Sequence, residues 1–209
     1  MDDFVSIEES VEAEIVEKKS RFIANLFPCD NVKEAEEQIK KLKKIYHDAR
    51  HNCVAYRILE DERIIEKSND DGEPSGTAGA PMLTILQKNN LINVLIVVTR
   101  YFGGTLLGTG GLVKAYSESL QKAIENSKKI TKCRGVEFFV NIDYGDFESF
   151  KYYCKINNIL ISNVEYAEDV NCIIELDEEK KEIFVKDFEN KKVCLKEIKE
   201  LGRRLISKD

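Results

Sequence analysis

Glycine is unevenly distributed along this chain of 209 residues, and its distribution constrains the fold more than any other feature. Eight of the eleven glycines fall between positions 72 and 111, and five of those lie within nine residues, at positions 103, 104, 108, 110 and 111. Glycine reaches backbone angles that other residues avoid, and it lets a main chain approach a ligand closely. The sequence therefore predicts one region of special backbone, formed by two loops, as the functional site.

Both glycine-bearing loops lie between recognisable elements. The acidic loop, residues 68–80, contains Asp-Asp-Gly-Glu-Pro-Ser-Gly-Thr-Ala-Gly and leads into a predicted helix over 81–88. The glycine loop, residues 99–111, follows an apolar run over 91–99 that is typical of a strand buried on both faces. A helix over 111–126 follows, and the amide groups at its start could hold an anion.

The rest of the pattern predicts an α+β protein with two domains, over 1–130 and 134–209. Before the acidic loop we expect strand, strand, helix, strand and strand, at 12–17, 21–27, 31–45, 52–59 and 63–67. After a predicted linker at 127–134 we expect strand, helix, strand, strand, helix and strand, at 136–143, 146–157, 160–166, 170–176, 178–190 and 193–199. This second order, βαββαβ, is the split-βαβ or ferredoxin-like arrangement.

Composition limits the partners and the compartment that we expect. The formal net charge is −6, so attraction to an anion must come from local geometry rather than from bulk charge. The six cysteines are scattered without a C-x-x-C pair, which favours buried thiols in a reducing compartment. We find no secretory signal and no apolar run long enough to span a bilayer. We therefore expect a cytoplasmic protein with no membrane partner.

The end of the apolar run at 91–99 and the following helix carry the candidate ligand contacts. A guanidinium beside two aromatic rings, as in Arg100-Tyr101-Phe102, is suited to single-stranded nucleic acid. We expect Arg100 to be exposed, Tyr101 to stack a base and Phe102 to lie in the core. Two alternatives remain open: Arg100 pairs with an acid of the acidic loop, and the glycines serve only tight packing. The predicted nucleic-acid or phosphate contacts are Arg100, Tyr101, Gly103, Gly104, Gly108, Gly110, Gly111 and Lys114.

The acidic loop supplies the supporting residues. Its carboxylates could hold Mg²⁺ or act as a general base, but acids near Gly and Pro are also common in solvated turns. We expect them to organise the glycine loop. The only histidines, His47 and His51, flank a predicted helix-to-strand junction and do not form a metal site. We assign no catalytic residue, no metal and no cofactor, and the supporting residues are His51, Asp70, Asp71, Glu73, Ser75 and Thr77.

The two loop motifs, within residues 70–81 and 98–116, resemble those of the YigZ/IMPACT family, as does the short motif His51-Asn-Cys-Val-Ala-Tyr. The resemblance covers the whole chain and indicates a bacterial-type two-domain member. It implies a first domain similar to the second domain of ribosomal protein S5. It also implies a ferredoxin-like second domain similar to the last domain of elongation factor G.

What the resemblance implies about function is translational control, in which eukaryotic members of the family act. We therefore expect a non-catalytic protein that binds RNA, the ribosome or a translation factor through the glycine loop. The alternative is an enzyme acting on a phosphorylated small molecule or nucleotide, with Asp71 or Glu73 as base or Mg²⁺ ligand. A protein-interaction module without a ligand of its own is a third possibility.

Overall fold

The computed structural model describes residues 3–60 and 63–207 of the chain. Its packing divides these residues into two compact units, one over Phe4–Thr131 and the other over 132–207 together with Asp3. Both units combine helices with antiparallel sheet, which confirms the predicted α+β class and its two domains. The closer likenesses, to ribosomal protein S5 and elongation factor G, remain predictions.

The first unit is an antiparallel sheet with helices on both faces. Its elements are β1 (Phe4–Ile7), β2 (Val11–Glu17), β3 (Ser20–Pro28), α1 (Val32–Ile45), β4 (His51–Glu60), β5 (Arg63–Asn69), α2 (Gly79–Lys88), β6 (Val94–Tyr101) and α3 (Gly108–Asn126). The sheet has the strand order β2-β3-β6-β4-β5. Strand β1, which sequence analysis did not predict, lies outside this sheet and forms a parallel bridge from Val5 to Leu91.

Strand β6 is the centre of the first unit, and it is buried on both faces as predicted. Val94, Ile96 and Val98 belong to the core that includes side chains of α2 and α3. The alternate residues Leu95 and Val97 belong to the core that includes side chains of α1. Successive side chains of a strand point to opposite faces, so an unbroken apolar run is required where helices cover both sides. The burial of β6 places its end, and the glycine loop after it, at the edge of the core.

The second unit has the predicted βαββαβ order. Its elements are β7 (Lys129–Ile142), which begins within the first unit and enters the second at Lys132, α4 (Tyr144–Ile156), β8 (Leu160–Tyr166), β9 (Val170–Asp177), α5 (Lys181–Glu189) and β10 (Glu197–Ser207). The strands pair antiparallel in the order β10-β7-β9-β8. One face of this sheet packs against α4 and α5 around Phe138, Phe150 and Phe184.

Two sequence-based boundaries are wrong in this region. The predicted linker at 127–134 is largely strand, because β7 begins at Lys129 and pairs with the end of β10 as far as Lys132. The last strand begins at Glu197 rather than at 193, although Val193 is buried. The charged residues of these segments conceal their strand character, which depends on pairing with distant parts of the chain. Lys132 pairs with Ser207, and Glu197 pairs with Asn141.

The structure also bears on two expectations that were drawn from composition. Among the described residues, no helix is long and apolar enough to cross a bilayer. Five cysteines are buried, namely Cys29, Cys53, Cys133, Cys154 and Cys172, whereas Cys194 is exposed. The expectation that the thiols are mostly buried is confirmed.

These buried thiols predict a loss of stability at high pH. Burial raises the pKa of Cys29, Cys53 and Cys154 from 9.0 to about 12. The unfolded chain therefore releases these protons first, and the free energy of unfolding should fall as the pH rises from 9 towards 12. Urea unfolding across this range measures the slope. Cys154→Ala should flatten it and Cys194→Ala should not, and equal slopes in both variants would contradict the prediction.

Candidate functional site

A buried ion pair joins the glycine loop to the acidic loop. Arg100 Nη1 lies 2.6 Å from Glu73 Oε1, and the two side chains are only 7% and 3% exposed. The Tyr116 hydroxyl donates to the same Glu73 oxygen at 2.8 Å. His51 Nε2 lies 4.0 Å from this oxygen. Side chains from β4, β6 and α3 therefore converge on one carboxylate, which the acidic loop supplies.

The expectation that Arg100 is exposed is wrong, and the register of the sheet explains why. Arg100 pairs with Phe22 on one side and with His51 on the other, so it is still within the sheet. Strand alternation places it on the same face as Val98, where α3 covers it. The alternative that Arg100 pairs with an acid of the acidic loop is the one observed.

Arg100 also fastens the glycine loop to the start of β3. Its Nη2 donates to Ser20 Oγ at 3.4 Å, and the same oxygen accepts from the Gly103 amide at 3.2 Å. The guanidinium lies 5.4 Å from the centre of the Phe22 ring and 5.7 Å from that of Phe102. Gly103 is required here, since a Cβ at this position would lie 1.9 Å from the carbonyl carbon of Lys19.

Asp70 shapes the acidic loop and the start of α2. Its carboxylate accepts from the amides of Gly76 at 2.8 Å, Ala78 at 3.0 Å and Gly79 at 2.8 Å. Helix α2 has no capping side chain at Ala78 itself. A side chain from outside the helix therefore satisfies amides that the first turn leaves without partners.

Asp71 links the acidic loop to the sheet and to α1. Its Oδ2 accepts from the Asn52 amide at 2.8 Å, and its Oδ1 lies 2.7 Å from Lys43 Nζ. His51 Nδ1 lies 2.9 Å from the Asp71 carbonyl oxygen. Thr77 is turned inward, with its hydroxyl donating to the Pro74 carbonyl at 2.6 Å. Ser75 is exposed at the tip of the loop.

Tyr116 and Cys53 belong to this network, although sequence analysis did not assign them to the site. The Cys53 thiol lies 3.0 Å from the Asp70 carbonyl oxygen and 3.3 Å from the Tyr116 hydroxyl. Burial raises the pKa of Cys53 to about 12 and also raises that of Tyr116, so both groups stay protonated at neutral pH. The sequence does carry a signal for Tyr116, since this tyrosine lies on the predicted apolar face of α3. A buried tyrosine hydroxyl needs a polar partner.

The outer side of the glycine loop is open. Phe102 is 46% exposed and Leu106 is 83% exposed, so the expectation that Phe102 lies in the core is wrong. Helix α3 begins at Gly108, and its N-cap residue, Leu107, makes no side-chain hydrogen bond to the first amides. A Cβ at Gly110 would meet no atom within 4 Å, whereas one at Gly111 would lie 3.0 Å from the Leu107 side chain.

Several cations lie on or beside the glycine loop. Lys114 is 74% exposed and its ammonium lies 3.6 Å from Glu118. Lys18 and Lys19 are exposed in the turn between β2 and β3, whose backbone contacts Gly103. Tyr101 is already engaged, since its hydroxyl donates to Asp48 at 2.7 Å.

The structure therefore separates the predicted site residues into two groups. The inner group forms the buried network or shapes the acidic loop, and it comprises His51, Asp70, Asp71, Glu73, Thr77 and Arg100. The outer group is accessible, and it includes Gly104, Gly108, Gly110 and Lys114. Within residues 3–60 and 63–207, no group of three His, Cys, Asp or Glu side chains is arranged to hold a metal ion.

Comparisons with known proteins agree with the two-unit organisation. A family model described as the Impact N-terminal domain matches residues 18–124, and one described as a domain of unknown function (DUF1949) matches residues 140–191. The chain is 40% identical over 167 residues to the IMPACT family member YvyE of Bacillus subtilis, covering 80% of this chain and 76% of that protein. It is 34% identical over 175 residues to an IMPACT family member of Haemophilus influenzae, covering 83% and 85%.

The fold is also similar to that of a crystal structure described as a hypothetical protein. The two are 30% identical, with a TM-score of 0.66 over 100% of this chain and 98% of that chain. A second structure, described as the two-domain translational regulator Yih1, is 23% identical over 57% of this chain and 48% of its own, with a TM-score of 0.39.

The buried ion pair predicts that Glu73→Gln is strongly destabilising. The change leaves the Arg100 charge buried without its counter-ion, which should lower the free energy of unfolding by about 3 kcal/mol. Urea unfolding measures the loss. Glu118→Gln, which breaks the exposed pair with Lys114, serves as the control and should cost less than about 1 kcal/mol. Equal losses in the two variants would show that the inner pair does not hold the site together.

Proposed function

This chain belongs to the IMPACT family, and we propose that it is a non-catalytic protein that binds RNA of the translation machinery through its glycine loop. Eukaryotic members of the family act in translational control. This supports the translation machinery as the partner of this protein and the cytoplasm as its location. The backbone at the start of α3 supports RNA as the ligand.

The observation that carries this proposal is the exposed outer side of the glycine loop, here called the open glycine face, beside the first amides of α3. The first amides of a helix have no partner within it, and in α3 the N-cap residue Leu107 supplies no side-chain hydrogen bond to them. At Gly110 the space that a side chain would fill is empty. A phosphate can approach such a backbone closely and is favoured by the positive end of the helix dipole.

Lys114 adds charge to the same surface. It follows Gly110 by four residues in α3, and residues at this spacing share a helix face. Its ammonium is exposed, so it can neutralise a phosphate next to the one held by the amides. Contacts to phosphates supply most of the sequence-independent affinity for nucleic acid.

The state of the acidic loop supports a non-catalytic role. Asp70 accepts from three amides, and Asp71 is engaged by the Asn52 amide and Lys43. Glu73 is buried against Arg100 and Tyr116. A general base must reach a substrate proton, whereas these carboxylates are already used to position the two loops.

The first test is RNA binding by Lys114→Ala, measured by fluorescence anisotropy with a short single-stranded RNA. Loss of one phosphate contact should weaken binding about fivefold near 0.1 M salt and reduce the slope of log K against log salt by about 0.7. The matched control is Lys186→Ala in α5. Lys186 is similarly exposed, at 69%, and also faces a glutamate four residues away.

The outcomes of this test distinguish the alternatives. Weaker binding by Lys114→Ala alone supports the glycine loop as the RNA contact, and an equal effect of Lys186→Ala contradicts it. Failure of the unaltered protein to bind RNA at low salt would overturn the proposal. Magnesium-dependent stabilisation by a nucleotide would then favour the enzyme, and capture of a translation factor would favour a protein-interaction module.

A second variant, Gly110→Ala, separates backbone access from charge. The methyl group has room in the isolated protein, and alanine favours a helix, so stability should stay equal or rise by up to about 1 kcal/mol. The added methyl group would nevertheless keep a phosphate away from the helix amides. The loss of one charge-assisted hydrogen bond should weaken RNA binding about tenfold. Gly145→Ala in the first turn of α4, where a Cβ also meets no atom, is the control. Unchanged binding by Gly110→Ala would exclude close approach at this position.

A further inference from the structure

Phe102 has the features of a base-stacking residue, whereas Tyr101, which the sequence favoured, does not. Tyr101 is only partly exposed, and its hydroxyl donates to Asp48. Phe102 carries no polar group and is 46% exposed at the beginning of the open glycine face. The neighbouring core aromatics, Phe22 and Tyr116, are fully buried.

We propose that Phe102 stacks an unpaired base and thereby makes single-stranded RNA, rather than duplex, the ligand of the glycine loop. This inference rests on the function proposed above and adds the class of RNA to it. Single-stranded RNA is recognised by stacking of unpaired bases on aromatic rings, whereas the bases of a duplex are stacked on each other.

The Phe102 ring is supported from within. The Arg100 guanidinium lies 5.7 Å from the ring centre, and the charge of Arg100 is balanced by Glu73. A cation near the face of an aromatic ring is attracted by the ring quadrupole, so the contact restrains the ring without a polar group on Phe102 itself. A base on the exposed part of the ring would meet a surface that is already held in place.

The backbone after Phe102 is also fixed. The Gly103 amide donates to Ser20 Oγ, and the close approach of Gly103 to the Lys19 backbone leaves no space for a side chain. A preorganised aromatic ring loses little conformational freedom on binding. Lys18 and Lys19, exposed in the turn that contacts Gly103, favour an anionic ligand over a neutral or basic one here.

The experiment compares binding of two strands that share a backbone and differ in bases. One is a short single-stranded RNA, and the other is an abasic strand of the same length. Phe102→Leu preserves an apolar side chain over Arg100 and removes the aromatic face, while Phe102→Trp restores that face. Leu106→Ala, at a more exposed apolar position in the same loop, is the control.

We expect the unaltered protein to prefer the RNA to the abasic strand by about tenfold. Phe102→Leu should abolish this preference without changing the salt slope, since no charge is lost. Phe102→Trp should retain the preference, and so should Leu106→Ala. Direct stacking would also quench a 2-aminopurine placed in the strand, and Phe102→Leu should relieve the quenching.

Two kinds of negative result can be told apart. If the protein binds both strands equally and Lys114→Ala weakens both, the glycine loop still binds RNA backbone but the stacking role of Phe102 is wrong. If Phe102→Leu retains the preference for RNA, the stacking role is also wrong. If neither strand binds at low salt, the proposed function itself fails.

Discussion

The buried ion pair between Arg100 and Glu73 connects the last residues of the central strand to the acidic loop. Burial of two charges is costly unless each is neutralised and hydrogen-bonded. Both terminal nitrogens of Arg100 have partners, whereas its buried Nε has none among the described residues. Tyr116 and Ser20 provide the additional hydrogen bonds, from α3 and from the start of β3. The positions of both loops therefore depend on a pair that solvent hardly reaches.

This arrangement separates support from recognition within one motif. The charged residues that stand out in the two loop sequences, above all Arg100 and Glu73, pair with each other inside the protein. The accessible surface instead consists of backbone at Gly108 and Gly110, the Phe102 ring and the ammonium of Lys114. A ligand of this surface would meet amides, an aromatic face and a cation, which together suit single-stranded RNA. The inner network supports that surface through the contact of Arg100 with the Phe102 ring and through Ser20, which accepts from the Gly103 amide.

Much of the fold could be predicted because its signals are local. The apolar run that becomes β6 and the helical spacing of Leu112, Tyr116 and Leu120 in α3 indicate burial from sequence alone. The two-domain α+β organisation and the βαββαβ order follow from such patterns. The linker predicted at 127–134 was wrong, because β7 begins at Lys129 and pairs from Lys132 onward with β10, about seventy residues away. In charged segments without a regular pattern, strand pairing can be recognised only when both paired strands are known.

The sequence by itself determined the location of the candidate site, since the glycines of two short motifs mark where the backbone must turn tightly or approach a neighbour closely. It also determined the family. Only the tertiary structure decided which side chains face the solvent. Arg100 is buried because the sheet register extends beyond it and α3 covers its face, whereas Phe102, two residues later, has left the sheet and is exposed. The difference arises from how far neighbouring strands and helices extend, which depends on contacts between distant residues and cannot be read from residue types and their local spacing.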